Sequence, residues 1–105
     1  MAKLLVLYKT PTDAAAFDIY YAETHIPLAK KIPGLRQYEV SRGPVATPAA
    51  PAVPSPIHLV ATLTFDSVAA IQAGLASPEG QATAADLGNF VTGGVDMLVY
   101  ETADA

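Results

Sequence analysis

A chain of 105 residues and 10.9 kDa has room for one hydrophobic core, so a single folding unit over 1–105 is expected and two-domain readings fall away. Hydrophobic residues make up 51% and charged residues 15%, against roughly 25% charged in ordinary soluble domains. That excludes intrinsic disorder and leaves more apolar surface than one small core hides. Ten acidic against six basic side chains give a formal charge of −4, with Lys30-Lys31 the one basic pair, so nucleic acid is not expected as a partner. Zero cysteines exclude disulfides and thiolate chemistry, and two histidines alone argue against a dedicated metal cage.

In chain order, Lys3 to Lys9 (KLLVLYK) is a short apolar run ended by Thr10-Pro11 and reads as a buried strand. It is far shorter than a membrane span and too short for a signal-peptide core, so a cytoplasmic protein with no membrane partner is expected. Thr12 or Asp13 then caps a helix whose Phe17, Tyr20, Tyr21, Thr24, Leu28 and Ile32 recur at spacings of three and four. Pro27 falls inside that pattern, where its ring meets the carbonyl of Glu23, and predicts a kink or restart. Pro33-Gly34 stops the helix. Leu35 to Arg42 alternates as a second strand.

Gly43 to Pro56 carries five prolines and no charge. It predicts an exposed loop of polyproline character, with no ladder strand, joining the second and third strands. Ile57 to Phe65 (IHLVATLTF) alternates cleanly, with Ile57, Leu59, Ala61, Leu63 and Phe65 on one face and His58, Val60, Thr62 and Thr64 on the other. Asp66 or Ser67 caps a second helical stretch to Leu75, Ser77-Pro78-Glu79 restarts it to about Phe90, and Gly93-Gly94 turn into a last strand, Val95 to Glu101.

The order β-α-β-β-α-β predicts an α+β, ferredoxin-like protomer: a four-stranded antiparallel sheet with two helices on one face. The other face, lined by His58, Val60, Thr62 and Thr64 with Val6 or Leu7 and Tyr8 from the first strand, is left bare. Covering it with a second copy would give a homodimer, a dimeric α+β barrel with its pocket enclosed between the two sheets.

The chemical inventory is short. His25 lies on the inward helical stripe four residues after Tyr21, and two roles are open to it: a core residue satisfying the Pro27 kink, or a proton shuttle. His58 begins the third strand beside the proline-rich segment and is either an interface residue or a pocket group, with Thr62 and Thr64 further along. Asp18 and Glu23 read as outward-facing, Asp86 falls on the second helix, and two places are open to Glu39 and Asp96: the barrel interior, or, as is favoured, solvent or a pairing with Arg42. No nucleophile elbow or phosphate-binding loop is present, so no cofactor is expected.

The string Phe17-x-x-Tyr20-Tyr21-x-x-x-His25-x-Pro27-Leu28 is the most specific local pattern. With it stand Pro33-Gly34-Leu35, Tyr38-Glu39-Val40-Ser41-Arg42-Gly43, His58-Leu59-Val60, Phe65-Asp66-Ser67, Ser77-Pro78-Glu79-Gly80 and Phe90-x-x-Gly93-Gly94. Together these resemble the EthD family, named for ethyl tert-butyl ether degradation. The resemblance implies a dimeric α+β barrel, a place in small-molecule catabolism, and the loose label oxidoreductase. Related barrels include cofactor-independent isomerases, cyclases and monooxygenases that share an apolar pocket with a few polar groups. By that likeness His25 and Tyr21 are the candidate catalytic residues, and Tyr8, His58, Thr62 and Phe17 the candidate contacts to a small apolar organic ligand. The competing expectation is a non-catalytic binding protein beside an oxygenase.

Overall fold

The computed structural model describes all 105 residues. Strand β1 (Ala2–Lys9) leads into helix α1 (Ala14–Tyr20), which runs on through a π-helical turn, Tyr21–His25, into the short α2 (Ile26–Ala29). After β2 (Gln37–Val40) come two short strands, β3 (Ala46–Thr47) and β4 (Ala50–Pro54), then the long β5 (Ile57–Phe65). Helices α3 (Val68–Ala76) and α4 (Pro78–Asp86) follow, a 3₁₀ turn spans Leu87–Asn89, and β6 (Val95–Glu101) ends the fold. The main sheet is antiparallel in the order β2-β5-β1-β6, the ferredoxin-like arrangement that the element order predicts.

Cross-strand register decides which side chains meet the helices, because residues directly opposite share a face. Leu4 lies opposite Leu63 and Val99, Val6 opposite Ala61 and Met97, and Tyr8 opposite Leu59 and Val95. These face the helices. Lys3, Leu5 and Leu7, opposite Thr64, Thr62 and Val60, share the bare face with Asp96, Leu98 and Tyr100 of β6. The placement of Val6 and Tyr8 on the bare face is therefore corrected. Their strand is apolar on both sides, so alternation alone does not choose a side; the burial of Phe17, Ile71 and Phe90 against Leu4, Val6 and Tyr8 does.

Two further expectations change. Instead of kinking at Pro27, the helix widens one turn earlier: the Ile26 N–H reaches back to the Tyr21 carbonyl, five residues away. Pro27 then stands at the start of α2, where a missing N–H costs little. The proline-rich segment is not plain loop, since β3 and β4 pair as a small separate hairpin, Ala46 opposite Pro54 and Thr47 opposite Ala50. In a two-stranded ribbon both strands are edges, so prolines can turn their donorless nitrogens outward.

The second helical layer follows its caps. Ser67 accepts from the Ala70 N–H and Ser77 from the Gly80 N–H, each at 3.0 Å. Ser67 rather than Asp66 is the cap; Asp66 pairs with Arg36 at 2.8 Å. Gly80 is fixed by contact, because a Cβ there would stand 2.1 Å from the Gly74 carbonyl oxygen. This close start sets α4, and with it Asp86, against the layer that holds His25.

Candidate active site

His25 closes the π turn and is 3% exposed, directed between sheet and helices. Its Nδ1 lies 2.9 Å from Oδ2 of Asp86, at the end of α4. The other carboxylate oxygen accepts from the Tyr20 hydroxyl at 2.6 Å and from the Asn89 amide at 3.0 Å. Burial works against ionising Asp86, but the Tyr20, Asn89 and His25 hydrogen bonds outweigh it and hold the carboxyl below the ordinary carboxylate value. An ionised Asp86 accepts the Nδ1–H. Nε2 then carries the lone pair, and the Tyr8 hydroxyl donates to it at 3.5 Å, the outer limit of a hydrogen bond.

Around this relay stands an aromatic wall. The rings of Tyr8, Phe17, Tyr21, His25 and Phe90 lie 4.7 to 5.9 Å apart, mostly edge-on or tilted. The Tyr21 and Tyr38 hydroxyls share a hydrogen bond. Burial first, and then the neighbouring phenols, push Tyr8 and Tyr21 well above the usual tyrosine range, and burial also raises Tyr38. All three are neutral donors at physiological pH. Beside them opens a cavity of about 130 Å³ under α2 and α4, lined by His25, Tyr8, Tyr38 and Thr83 with an otherwise largely apolar wall that includes Leu63, Leu87 and Met97.

The structure thus brings together Tyr8, Phe17, Tyr21 and His25, on the helix-covered side of the sheet. This cavity is formed within one chain, between its sheet and its helices, on the opposite side of the sheet from the bare face where a pocket between two copies is expected. Thr62 is not part of the group. It lies opposite Leu5 and Glu39 on the far face of the sheet. Glu39 shares that face, while Asp96 is exposed beside Lys9 at 3.5 Å.

His58 also departs from the alternation. Lys9 pairs with Ile57 but Tyr8 pairs with Leu59, so residue 58 is the extra residue of a bulge. Its ring meets the edge of Phe17 at 5.1 Å, and Nε2 lies 2.7 Å from Oδ1 of Asp18. It lines a second, larger cleft of about 530 Å³ beneath the β3-β4 hairpin, with Tyr21 as part of the wall. Sequence reasoning placed Asp86 on the second helix but gave it no role beside His25. The signal was its spacing, three residues after Thr83 and six after Gly80, both buried on the same stripe of α4. No three His, Asp or Glu side chains converge as metal ligands.

The EthD domain model matches residues 9–94. The chain belongs to the EthD family. An uncharacterised 11.0 kDa protein from the thcB-thcC intergenic region of Rhodococcus erythropolis is 37% identical over 98 residues, covering 93% of this EthD chain and 91% of its own length. The crystal structure of an EthD family protein from Bacillus halodurans superposes with a TM-score of 0.87 at 34% identity, over 98% of this chain and 99% of that one. SnoaB, a cofactor-independent oxygenase from Streptomyces nogalater, shares the fold with a TM-score of 0.67 at 15% identity, over 99% and 94% of the two chains. Within this EthD protein the matched stretch contains both histidine-aspartate pairs, and Tyr8 stands one residue before it. No helix is long and apolar enough to cross a membrane.

Proposed function

We propose that this protein of small-molecule catabolism binds a small, uncharged, largely apolar molecule between its sheet and helices and moves a proton on it, with His25 as the catalytic base. The observation that carries the reading is the Asp86-held imidazole whose remaining nitrogen has only a long Tyr8 contact and borders an apolar cavity. A buried carboxylate that fixes Nδ1–H both selects the tautomer and stabilises the imidazolium formed when Nε2 takes a proton. The proton leaves an acidic C–H or O–H of the ligand, and the electron pair remains on the ligand as an enolate or phenolate. The Tyr8 and Tyr38 hydroxyls supply neutral donors to that oxygen, and Tyr21 orients Tyr38.

Return of the proton to a second position completes an isomerisation without a co-reactant. The same enolate is the electron-rich species an oxygenase without a cofactor presents to dioxygen, so proton abstraction is the step common to both chemistries on this fold. A cavity of roughly 150 Å³ suffices to hold benzene, which suits a one-ring ligand.

The working unit in this reading is a homodimer. Leu98 and Tyr100 stand 54% and 41% exposed on the bare face beside Leu5 and Leu7, and a second copy's sheet would cover them. A solution mass near twice 10.9 kDa is expected, and a mass at 10.9 kDa at micromolar concentration contradicts the dimer.

The functional test is turnover on a panel of lactones, quinones and ketones. His25→Ala is expected to lose about 10²- to 10⁴-fold in kcat while still binding the ligand. Equal turnover by parent and variant removes His25 from the chemistry, and ligand binding with no turnover by either makes the protein a carrier.

A further inference from the structure

We infer that the outer cleft beneath the β3-β4 hairpin is a second ligand subsite, in which His58 receives a hydroxyl at the end of the substrate remote from His25. The proposal rests on the His25 reading above and narrows its substrate class to two-ended, uncharged aromatic or alicyclic molecules bearing oxygen at both ends.

The inner cavity, at about 130 Å³, has space for little more than one ring, while the outer cleft of about 530 Å³ is in the range of sites for larger ligands. The two are neighbours through one pair of side chains. Tyr21 lines the outer cleft, Tyr38 lines the inner cavity, and their hydroxyls bond to each other across the boundary. A ligand that spans both sites exchanges this one hydrogen bond for bonds of its own to both phenols.

The outer subsite has a polar group suited to a hydroxyl. His58 donates Nε2–H to Asp18 at 2.7 Å, which leaves Nδ1 as an acceptor with no protein partner. Phe17 sets the ring edge-on at 5.1 Å, so the imidazole is positioned rather than free. The rest of the lining is apolar or carries a hydroxyl that makes a hydrogen bond within the chain: Ser41 accepts from the Val60 N–H, the Thr10 hydroxyl donates to the Pro56 carbonyl, and the Ser55 hydroxyl donates to the Ile57 carbonyl. The roof, Gly43 to Pro56, carries no charge, and Asp18 repels a carboxylate. A neutral hydroxyl on an apolar frame is the complement of these features.

The test compares phenol, para-phenylphenol and para,para′-biphenol, by calorimetry and by NMR of the two histidine rings. Biphenol is expected to bind about tenfold more tightly than para-phenylphenol, the worth of one added hydrogen bond, and to shift both rings. His58→Ala and Asp18→Asn are each expected to bring biphenol toward the para-phenylphenol affinity. Biphenol binding no tighter than para-phenylphenol to the parent, or keeping its advantage in both variants, overturns the subsite. Phenol reads the inner site separately: if it leaves the His25 ring unshifted, the His25 reading fails, while the biphenol comparison still decides the outer cleft.

Discussion

The molecule contains two histidine-aspartate pairs built to different ends. His25 and Asp86 are 4% and 7% exposed at their side chains, and Tyr20 and Asn89 lock the carboxylate from its other side. His58 and Asp18 form a shorter contact, 2.7 Å against 2.9 Å, yet their side chains are 22% and 58% exposed and the carboxylate has no second side-chain donor. The difference lies in what surrounds each pair. Burial makes the inner contact expensive to break and fixes its tautomer and direction, whereas water competes for the outer one. The inner pair suits the fixed geometry of proton transfer, and the outer pair suits recognition.

Breaking the inner pair gives the largest expected effect. Asp86→Ala leaves His25, Tyr20 and Asn89 without their shared acceptor and should cost about 3–5 kcal/mol, read by chemical denaturation. Acid titration sharpens the same point. Because folding lowers the Asp86 pKa below 3.8, its contribution is present above that value and is lost as pH falls through the lower folded pKa. Asp86→Asn should therefore flatten the acid limb of stability measured from pH 6 downward.

Gly80→Ala comes next. It drives a methyl group into the Gly74 carbonyl and should cost about 1–3 kcal/mol while displacing Asp86, seen as a changed His25 ring signal.

The tyrosine wall gives a smaller effect with the opposite pH sign. Tyr8, Tyr21 and Tyr38 are raised above 10.0, so their contribution is full below that value and is lost as pH rises through the folded pKa values. Tyr21→Phe should cost about 1 kcal/mol at neutral pH and make the alkaline limb shallower. Smallest of all, Asp18→Asn should change stability by less than about 1 kcal/mol, and the change should fade in high salt. A loss there as large as that of Asp86→Ala would erase the contrast between the pairs.

Much of this was legible in the residues. The span of β5, a cap at Asp66 or Ser67, the cap at Ser77, and the last strand at Val95–Glu101 follow from alternation and capping chemistry, which are local. So does the inward stripe of Phe17, Tyr21 and His25. What was not legible depends on contacts distant in sequence. Asp86 meets His25 only because the fold brings together residues 61 positions apart, and His58 changes face only because a bulge forms against Lys9. Tyr8 was placed on the wrong side for the same reason: β1 is apolar in both registers, and the helices that choose between them come later in the chain.

The claim that most needs testing is that Asp86 holds His25 with Nε2 ready to take a proton at the inner cavity. A long-range ¹H–¹⁵N correlation spectrum of the histidine rings, recorded at neutral pH with and without phenol, tests it directly. The expected spectrum shows His25 protonated at Nδ1, with the Nε2 resonance shifting on phenol addition and the tautomer preference lost in Asp86→Asn. A His25 ring protonated at Nε2, or one whose nitrogens ignore both phenol and the loss of the Asp86 charge, would contradict it.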